Sequence, residues 1–391
     1  MQRYEPDQKP LPECLRYFVF AILAFTIISL GQSLIARHLG SELPISYPYY
    51  FSAGTFFYDY YGVAAPIAHL GRPDFLSQSN YFMYPPAMVL PVKVLYIASH
   101  SGKVLLMLLF ATGAFFTFCL YRILRASGLM ITAALLLTTS IAVTSYPFLF
   151  LLQRWNMEIF AWIFVTTGIW CFYRGHYRWA AFCFGLATAL KLYPFIFFGL
   201  FLPRRRYLDV LLGAFTAGAF TLIGLRMISP DIIRALSWDV IQLAAFGKYY
   251  AGAPLALGYD HSFFALVKFA LLPWTADLTP LVRPYTWLAA ASCLALYFGR
   301  IWKLPLPNQI LILSVLSVSI APVSYDYTLL SLYASLAILC VIALKTSPSE
   351  QSMLTPFFLL YAVIFTPQSY IIFHGARFCG ELRALCLLAL L

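Results

Sequence analysis

Charge is what this sequence lacks. Only 10% of its 391 residues are Asp, Glu, Lys or Arg, while 62% are hydrophobic and 18% aromatic. An ordinary soluble domain carries about 25% charged residues. So few charges cannot cover a water-exposed surface, and so apolar a chain is neither disordered nor collagenous nor a disulfide-stapled secreted domain. The composition predicts an all-α polytopic helical bundle in a membrane, built as a single domain over residues 1–391. Acidic residues are scarcest: 15 against 26 Lys and Arg, a net charge of +11. Nucleic acid is not the expected partner, because the basic residues sit at the ends of apolar runs. They do so at Arg122/Arg125, Arg174/Arg178, residues 204–206 and Arg300/Lys303, as the positive-inside rule places them.

Familiar cofactor and nucleophile signatures are missing as well. The chain has no GxxxxGK[ST], no GxGxxG after a strand, no HExxH and no GxSxG, hence no recognisable nucleotide cradle, zinc-protease helix or hydrolase elbow. Its eight cysteines form no CxxC pair and none lies near a His at metal-ligand spacing. They are expected to be small apolar packing residues, and no metal or cofactor is expected. An activated substrate for such a chain is expected to be borne by a lipid.

What is present is a series of apolar runs. The first, 14–35, is long enough to span and has no cleavage site after it. Others lie at 104–121, 129–150, 159–173, 179–202, 208–228, 282–302, 308–321, 327–344 and 354–373, with a weaker run at 262–273 and an apolar C-terminus at 382–391 too short to cross. With short and re-entrant pieces included, about 10–12 membrane segments are expected. Two polar excursions interrupt them: a first outer loop, 36–103, with one surface helix over 87–99, and a second at 229–281.

Orientation hinges on 179–202. As one span it would put residues 204–206 opposite the other short basic loops. A break at Lys191-Leu192-Tyr193-Pro194 avoids this, because Pro194 removes a backbone donor and biases Tyr193 out of helix. The expectation is therefore two half-helices that return the chain to its starting side, with the N-terminus, Arg300/Lys303 and Lys345 on that same cytoplasmic side.

Under that topology the scarce polar groups gather at the other face, which is the strongest functional signal in the sequence. Asp59, among Tyr58, Tyr60 and Tyr61, is either a desolvated general base or a solvated loop acid in an aromatic belt. Arg154, Asn156 and Glu158 either bind a phosphate and sugar hydroxyls or form a local pair four residues apart. Lys191 costs about 2.5–3.5 kcal/mol to insert in mid-span, and either faces an anionic partner such as a lipid headgroup, the favoured reading, or snorkels to an interface. His261, beside Asp260, is either a phosphate ligand or merely exposed. Asp326 is either functional or a turn residue after Pro322.

Four stretches together resemble the GT-C superfamily of integral-membrane glycosyltransferases, and within it glycosyltransferase family 87. They are Tyr58-Asp59-Tyr60-Tyr61 followed by Tyr84-Pro85-Pro86; Gln153-Arg154-Trp155-Asn156-Met157-Glu158; Gly185-Leu186-Ala187-Thr188-Ala189-Leu190-Lys191-Leu192-Tyr193-Pro194; and Ala321-Pro322-Val323-Ser324-Tyr325-Asp326-Tyr327. The resemblance covers residues 14–344. It implies a GT-C bundle with a large first periplasmic loop in a bacterial inner membrane. It also implies inverting transfer of a hexose, mannose by family analogy, from a polyprenyl-phosphate donor to a glycan or glycolipid acceptor. Asp59 becomes the general base, and Lys191 and Pro194 lie near the lipid phosphate. Related sequences often place a His in the last stretch, where this chain has Tyr325 and Tyr327. His261 or Arg154 is then expected to take over phosphate binding. Tyr60, Tyr61, Tyr84, Trp155, Asn156, Glu158, Tyr193, Tyr325 and Asp326 complete the expected substrate-binding set. The rival from another class is a transporter or flippase of a lipid-linked sugar. It ranks lower because only one run is clearly interrupted and no second copy of it is visible. A third is a non-catalytic subunit of a glycan-assembly complex.

Overall fold

The computed structural model describes residues 9–38, 58–70, 75–78, 82–98, 102–253, 257–275, 277–367, 372–373 and 376–391. Residues 39–57 and other parts of the expected first outer loop lie outside this set. The protein is an all-α bundle; a two-residue antiparallel pairing of Ile372–Phe373 with Ala376–Arg377 is the one sheet among the described residues.

Among the described residues, four helices are long and apolar enough to cross a membrane: Glu13–Gln32, Lys103–Ala126, Tyr207–Ile228 and Asp326–Lys345. A fifth forms if Ile131–Thr144 and Tyr146–Arg154 are joined across a 43° bend. Unbroken spans are thus fewer than the apolar runs suggested, and local chemistry explains the breaks. The 43° bend falls at Ser145, extended at φ −65°, ψ 105° and two residues before Pro147, a residue that cannot donate into a continuing helix. Within the run at 354–373 the α-helix Thr355–Phe365 stops at Thr366, just before Pro367.

The most informative break is at Lys191. Helix Tyr177–Leu190 ends there in extended backbone, φ −147°, ψ 137°, and a 3₁₀ segment, Tyr193–Leu200, follows with Pro194 in its first turn. The segment folds back along the helix it left. Phe197 stacks on Phe184 at 5.3 Å, Phe201 meets Phe172 edge-on at 5.0 Å, and the Arg206 guanidinium lies 4.7 Å over the Tyr177 ring. The chain has returned to its starting end, as the basic-residue pattern anticipated. From there Tyr207–Ile228 crosses the bundle. Its Gly213 carbonyl lies 2.5 Å from where a Cβ on Gly185 would sit, so the two helices touch backbone to backbone.

This routing sorts the bundle into two ends. At one, Lys9 pairs with Gly128 through its backbone and reaches the Leu344 carbonyl with its amine, while Arg204 and the Trp302 carbonyl meet on Gln309. At the other, Tyr58–Ala68, residues 82–88, 154–158 and 191–193, and the turn before Asp326 come together. The expected surface helix is there too, as a 3₁₀ turn Pro86–Met88 running into Val89–Ala98. It packs Val89, Val92 and Leu95 inward.

Candidate active site

Asp59 occupies the first turn of Tyr58–Ala68, where the amino end of a helix favours negative charge. What grips it comes from a sharp reversal. Helix Tyr146–Arg154 ends on Trp155 in a left-handed conformation, φ 49°, ψ 49°, uncommon for a bulky residue and typical of functional turns. The reversal lets residues on either side of Trp155 converge. Arg154 Nη2 lies 2.7 Å from Asp59 Oδ1, and Asn156 Nδ2 donates to Asp59 Oδ2 at 2.7 Å.

Asn156 is itself fixed. Its side-chain oxygen accepts the Glu158 backbone N–H at 2.8 Å, and its amide reaches the Tyr84 hydroxyl at 3.2 Å. Glu158 opens the next helix, Glu158–Tyr173, with its carboxylate fully buried. Tyr193 donates its hydroxyl to Glu158 Oε1 and shares a 3.0 Å hydrogen bond with Ser331 Oγ. Lys191 Nζ lies 3.5 Å from Glu158 Oε2, 4.4 Å over the Tyr84 ring and 5.8 Å from the Tyr327 ring. Burial first, then the Asp59 and Glu158 carboxylates, push the Tyr84 phenol well above its ordinary range, so it stays neutral. Arg154 and Glu158 do not pair with each other: each has found an opposite charge from another part of the chain.

Three of the four charged groups are within reach of solvent, with side-chain exposures of 13% for Asp59, 28% for Arg154 and 19% for Lys191. The site therefore offers a carboxylate with lone pairs to spare beside two cations that an anion can approach. Tyr61 is exposed nearby. Tyr60 and Trp155 sit elsewhere than a sugar face requires: both are buried, edge to face at 5.9 Å. They close over Gly102, at φ 70°, where a Cβ would stand 2.2 Å from the Trp155 ring and 2.9 Å from Tyr60. Their part is to hold the reversal and the Asp59 helix together.

His261 and Asp326 belong to a second, deeper group. Both are fully buried. His261 Nδ1 lies 3.2 Å from Asp326 Oδ1, and its Nε2 is 3.2 Å from the hydroxyls of Ser324 and Thr328. Arg383 Nη1 meets Asp326 Oδ2 at 2.8 Å, and Lys268 Nζ meets Asp260 Oδ2 at 2.6 Å. His261 is thus neither exposed nor open to a phosphate, and Asp326 is neither a simple turn residue nor a surface for sugar. Hydrogen bonds from His261 and to Asp260 tie the second excursion to the Asp326 turn, and the Arg383–Asp326 ion pair adds the C-terminal helix Cys379–Ala389. Tyr325 and Tyr327 stand between the two groups: Tyr325 pairs through its backbone with Asp260, and Tyr327 stacks on Phe150 at 5.9 Å beside Lys191.

Sequence reasoning passed over Lys268, Arg383 and Ser331. The first two carried a signal, since a lone cation in an otherwise apolar run needs a buried partner. Ser331, a hydroxyl within a span, carried none. Among the described residues no group of three or more His, Cys, Asp or Glu is placed to hold a metal ion.

Comparison with known proteins agrees with this picture. The sequence profile of glycosyltransferase family 87 matches residues 82–318, more than half of the chain. The match takes in Tyr84, the reversal at 154–158, Lys191 and Tyr193; Asp59 precedes it and Asp326 follows it. No curated protein and no solved structure matches the chain. A helical bundle with membrane-crossing helices whose polar site lies largely within that match is an integral-membrane glycosyltransferase, and the chain belongs to glycosyltransferase family 87.

Proposed function

We propose that this protein transfers a hexose, mannose by family analogy, from a polyprenyl-phosphate donor to a hydroxyl of a glycan or glycolipid. The reaction takes place at the outer face of a bacterial inner membrane. The observation that carries the reading is that Asp59, paired with Arg154, and Lys191, paired with Glu158, lie at one end of the bundle, each within reach of solvent. The short basic loops at the opposite end support placing that end in the cytoplasm and the site in the periplasm.

In this reading Asp59 accepts the proton of the acceptor hydroxyl as its oxygen attacks the anomeric carbon. The new C–O bond forms on the face opposite the leaving group, so configuration inverts. The bond from the anomeric carbon to the phosphate oxygen breaks, and its electron pair stays on polyprenyl phosphate. Lys191 and Arg154 stabilise the charge developing there, and a phosphate leaves without a protein acid. The apolar faces of the bundle admit the donor from the bilayer. In this reading the exposed Tyr61 ring and the Tyr84 and Tyr193 side chains contact the sugars.

The test is transfer in lipid nanodiscs with polyprenyl-phosphate mannose and a panel of glycan acceptors. Wild type should form glycoside, and a folded Asp59→Asn variant should lose at least a hundredfold in rate, the low end of what a positioned base contributes. Equal turnover by the variant removes Asp59 from the mechanism. Donor movement across the vesicle membrane with no glycoside formed would support a flippase instead.

A further inference from the structure

We propose that Arg154 is shared between base and donor. Without donor it neutralises Asp59; the donor's phosphate draws it away, so the base is released only once donor is bound. This rests on the reaction proposed above and adds an order of events to it.

The asymmetry of the two groups gripping Asp59 carries the inference. Asn156 is 1% exposed, pinned by the Glu158 N–H and the Tyr84 hydroxyl, and uncharged. Arg154 is the last residue of its helix, immediately before the left-handed Trp155, with 28% of its side chain exposed. One clamp is buried and neutral, the other charged and open to solvent. Charge points the same way. Among the described residues of the site, Asp59, Glu158, Arg154 and Lys191 balance one another, so an arriving phosphate competes there for a cation already paired. Lys191 is held between a fully buried carboxylate and two aromatic rings, and moving it would leave Glu158 uncompensated. Arg154 gives up a partner that keeps both solvent contact and the Asn156 amide, and its planar fork suits a phosphate. Once the guanidinium leaves, the Asp59 oxygen it covered is open to the acceptor hydroxyl.

Competition for one cation must appear as a reciprocal linkage between Asp59 and phosphate binding. The experiment is equilibrium binding of farnesyl phosphate to the full chain in nanodiscs, with farnesol as the uncharged control and thermal unfolding to confirm that each variant is folded. Asp59→Asn should bind farnesyl phosphate about five- to tenfold more tightly than wild type, and Arg154→Gln more weakly. Adding Asp59→Asn to Arg154→Gln should produce no tightening. Farnesol affinity should stay constant throughout. Tightening by Asp59→Asn that persists in the Arg154→Gln background, or no tightening at all, overturns the shared role while leaving the transferase reading intact. Absence of phosphate-dependent binding in every form overturns both. Arg154→Lys separates fork geometry from charge: it should keep the direction of the Asp59→Asn effect at reduced size, and loss of that direction counts against the switch.

Discussion

Arg154 and Glu158 stand four residues apart at the junction of two helices, yet Arg154 closes on Asp59 at 2.7 Å and Glu158 faces Lys191 at 3.5 Å. The left-handed Trp155 between them turns the two side chains toward different partners. Each pair joins segments far apart in sequence, so the site is held by the same charges proposed to work in it.

Lys191→Met should be more damaging than the loss of one surface charge. It strands the fully buried Glu158 carboxylate, and breaking a buried pair in this way costs about 3–5 kcal/mol. A Lys191→Met/Glu158→Gln double variant should recover most of the thermal stability in detergent but not the transfer rate. Recovery of both would make the pair purely structural.

Tyr193→Phe removes the hydroxyl that bonds both Glu158 and Ser331. A hydrogen bond to a charged group is worth about 1.5–3 kcal/mol, and thermal unfolding should register a loss of that order. Ser331→Ala should lose less, because Tyr193 keeps its bond to Glu158. An equal loss in both variants would mean that the serine, not the carboxylate, anchors Tyr193.

Glu381 should make stability depend on pH. The eleven-residue helix that carries it is too short to cross a membrane. Burial first, with Asp260 and Asp326 adding to it, pushes its carboxyl up to about 8 from an ordinary 4.5. Between those values the unfolded chain has lost a proton that the folded chain keeps, so stability falls as pH rises across the window. Glu381→Gln should therefore melt a few degrees higher than wild type at pH 8.5 and almost level with it at pH 5. A constant difference at both pH values would locate the effect elsewhere.

Breaking the deeper ionic group should act on folding and leave the chemistry of surviving molecules untouched. Arg383→Leu leaves Asp326 buried with His261 alone and should reduce the yield of folded protein severely, with about 3–5 kcal/mol at stake. Transfer per folded molecule, measured after size-exclusion chromatography, should stay within a fewfold of wild type. A hundredfold drop in properly folded protein would instead bring this group into the reaction.

The fold-back at Lys191 can be checked directly. With the native cysteines replaced, Arg178→Cys and Arg205→Cys should label with an impermeant thiol reagent from the same side of the membrane, and Tyr61→Cys from the other. Labelling of Arg178→Cys and Arg205→Cys from opposite sides would mean that 179–202 crosses straight through.

Much of this was legible in one dimension, because a bilayer reduces folding to a few rules that composition and spacing report. Scarce charge called for a helical bundle, short basic loops marked its ends, and Lys191 ahead of Pro194 marked a place where no helix continues. The sequence by itself also determined which polar residues share an end, since sidedness follows from counting crossings. Partnership is a different matter. That Arg154 serves Asp59 and not Glu158, that Tyr60 and Trp155 pack around Gly102, and that His261 is sealed in with Asp326 and Arg383 were decided only by the tertiary structure. Ion pairs and close packing join segments whose distance along the chain carries no information about their distance in space. One residue's rotation into the left-handed region, as at Trp155, selects among partners that local spacing leaves equivalent.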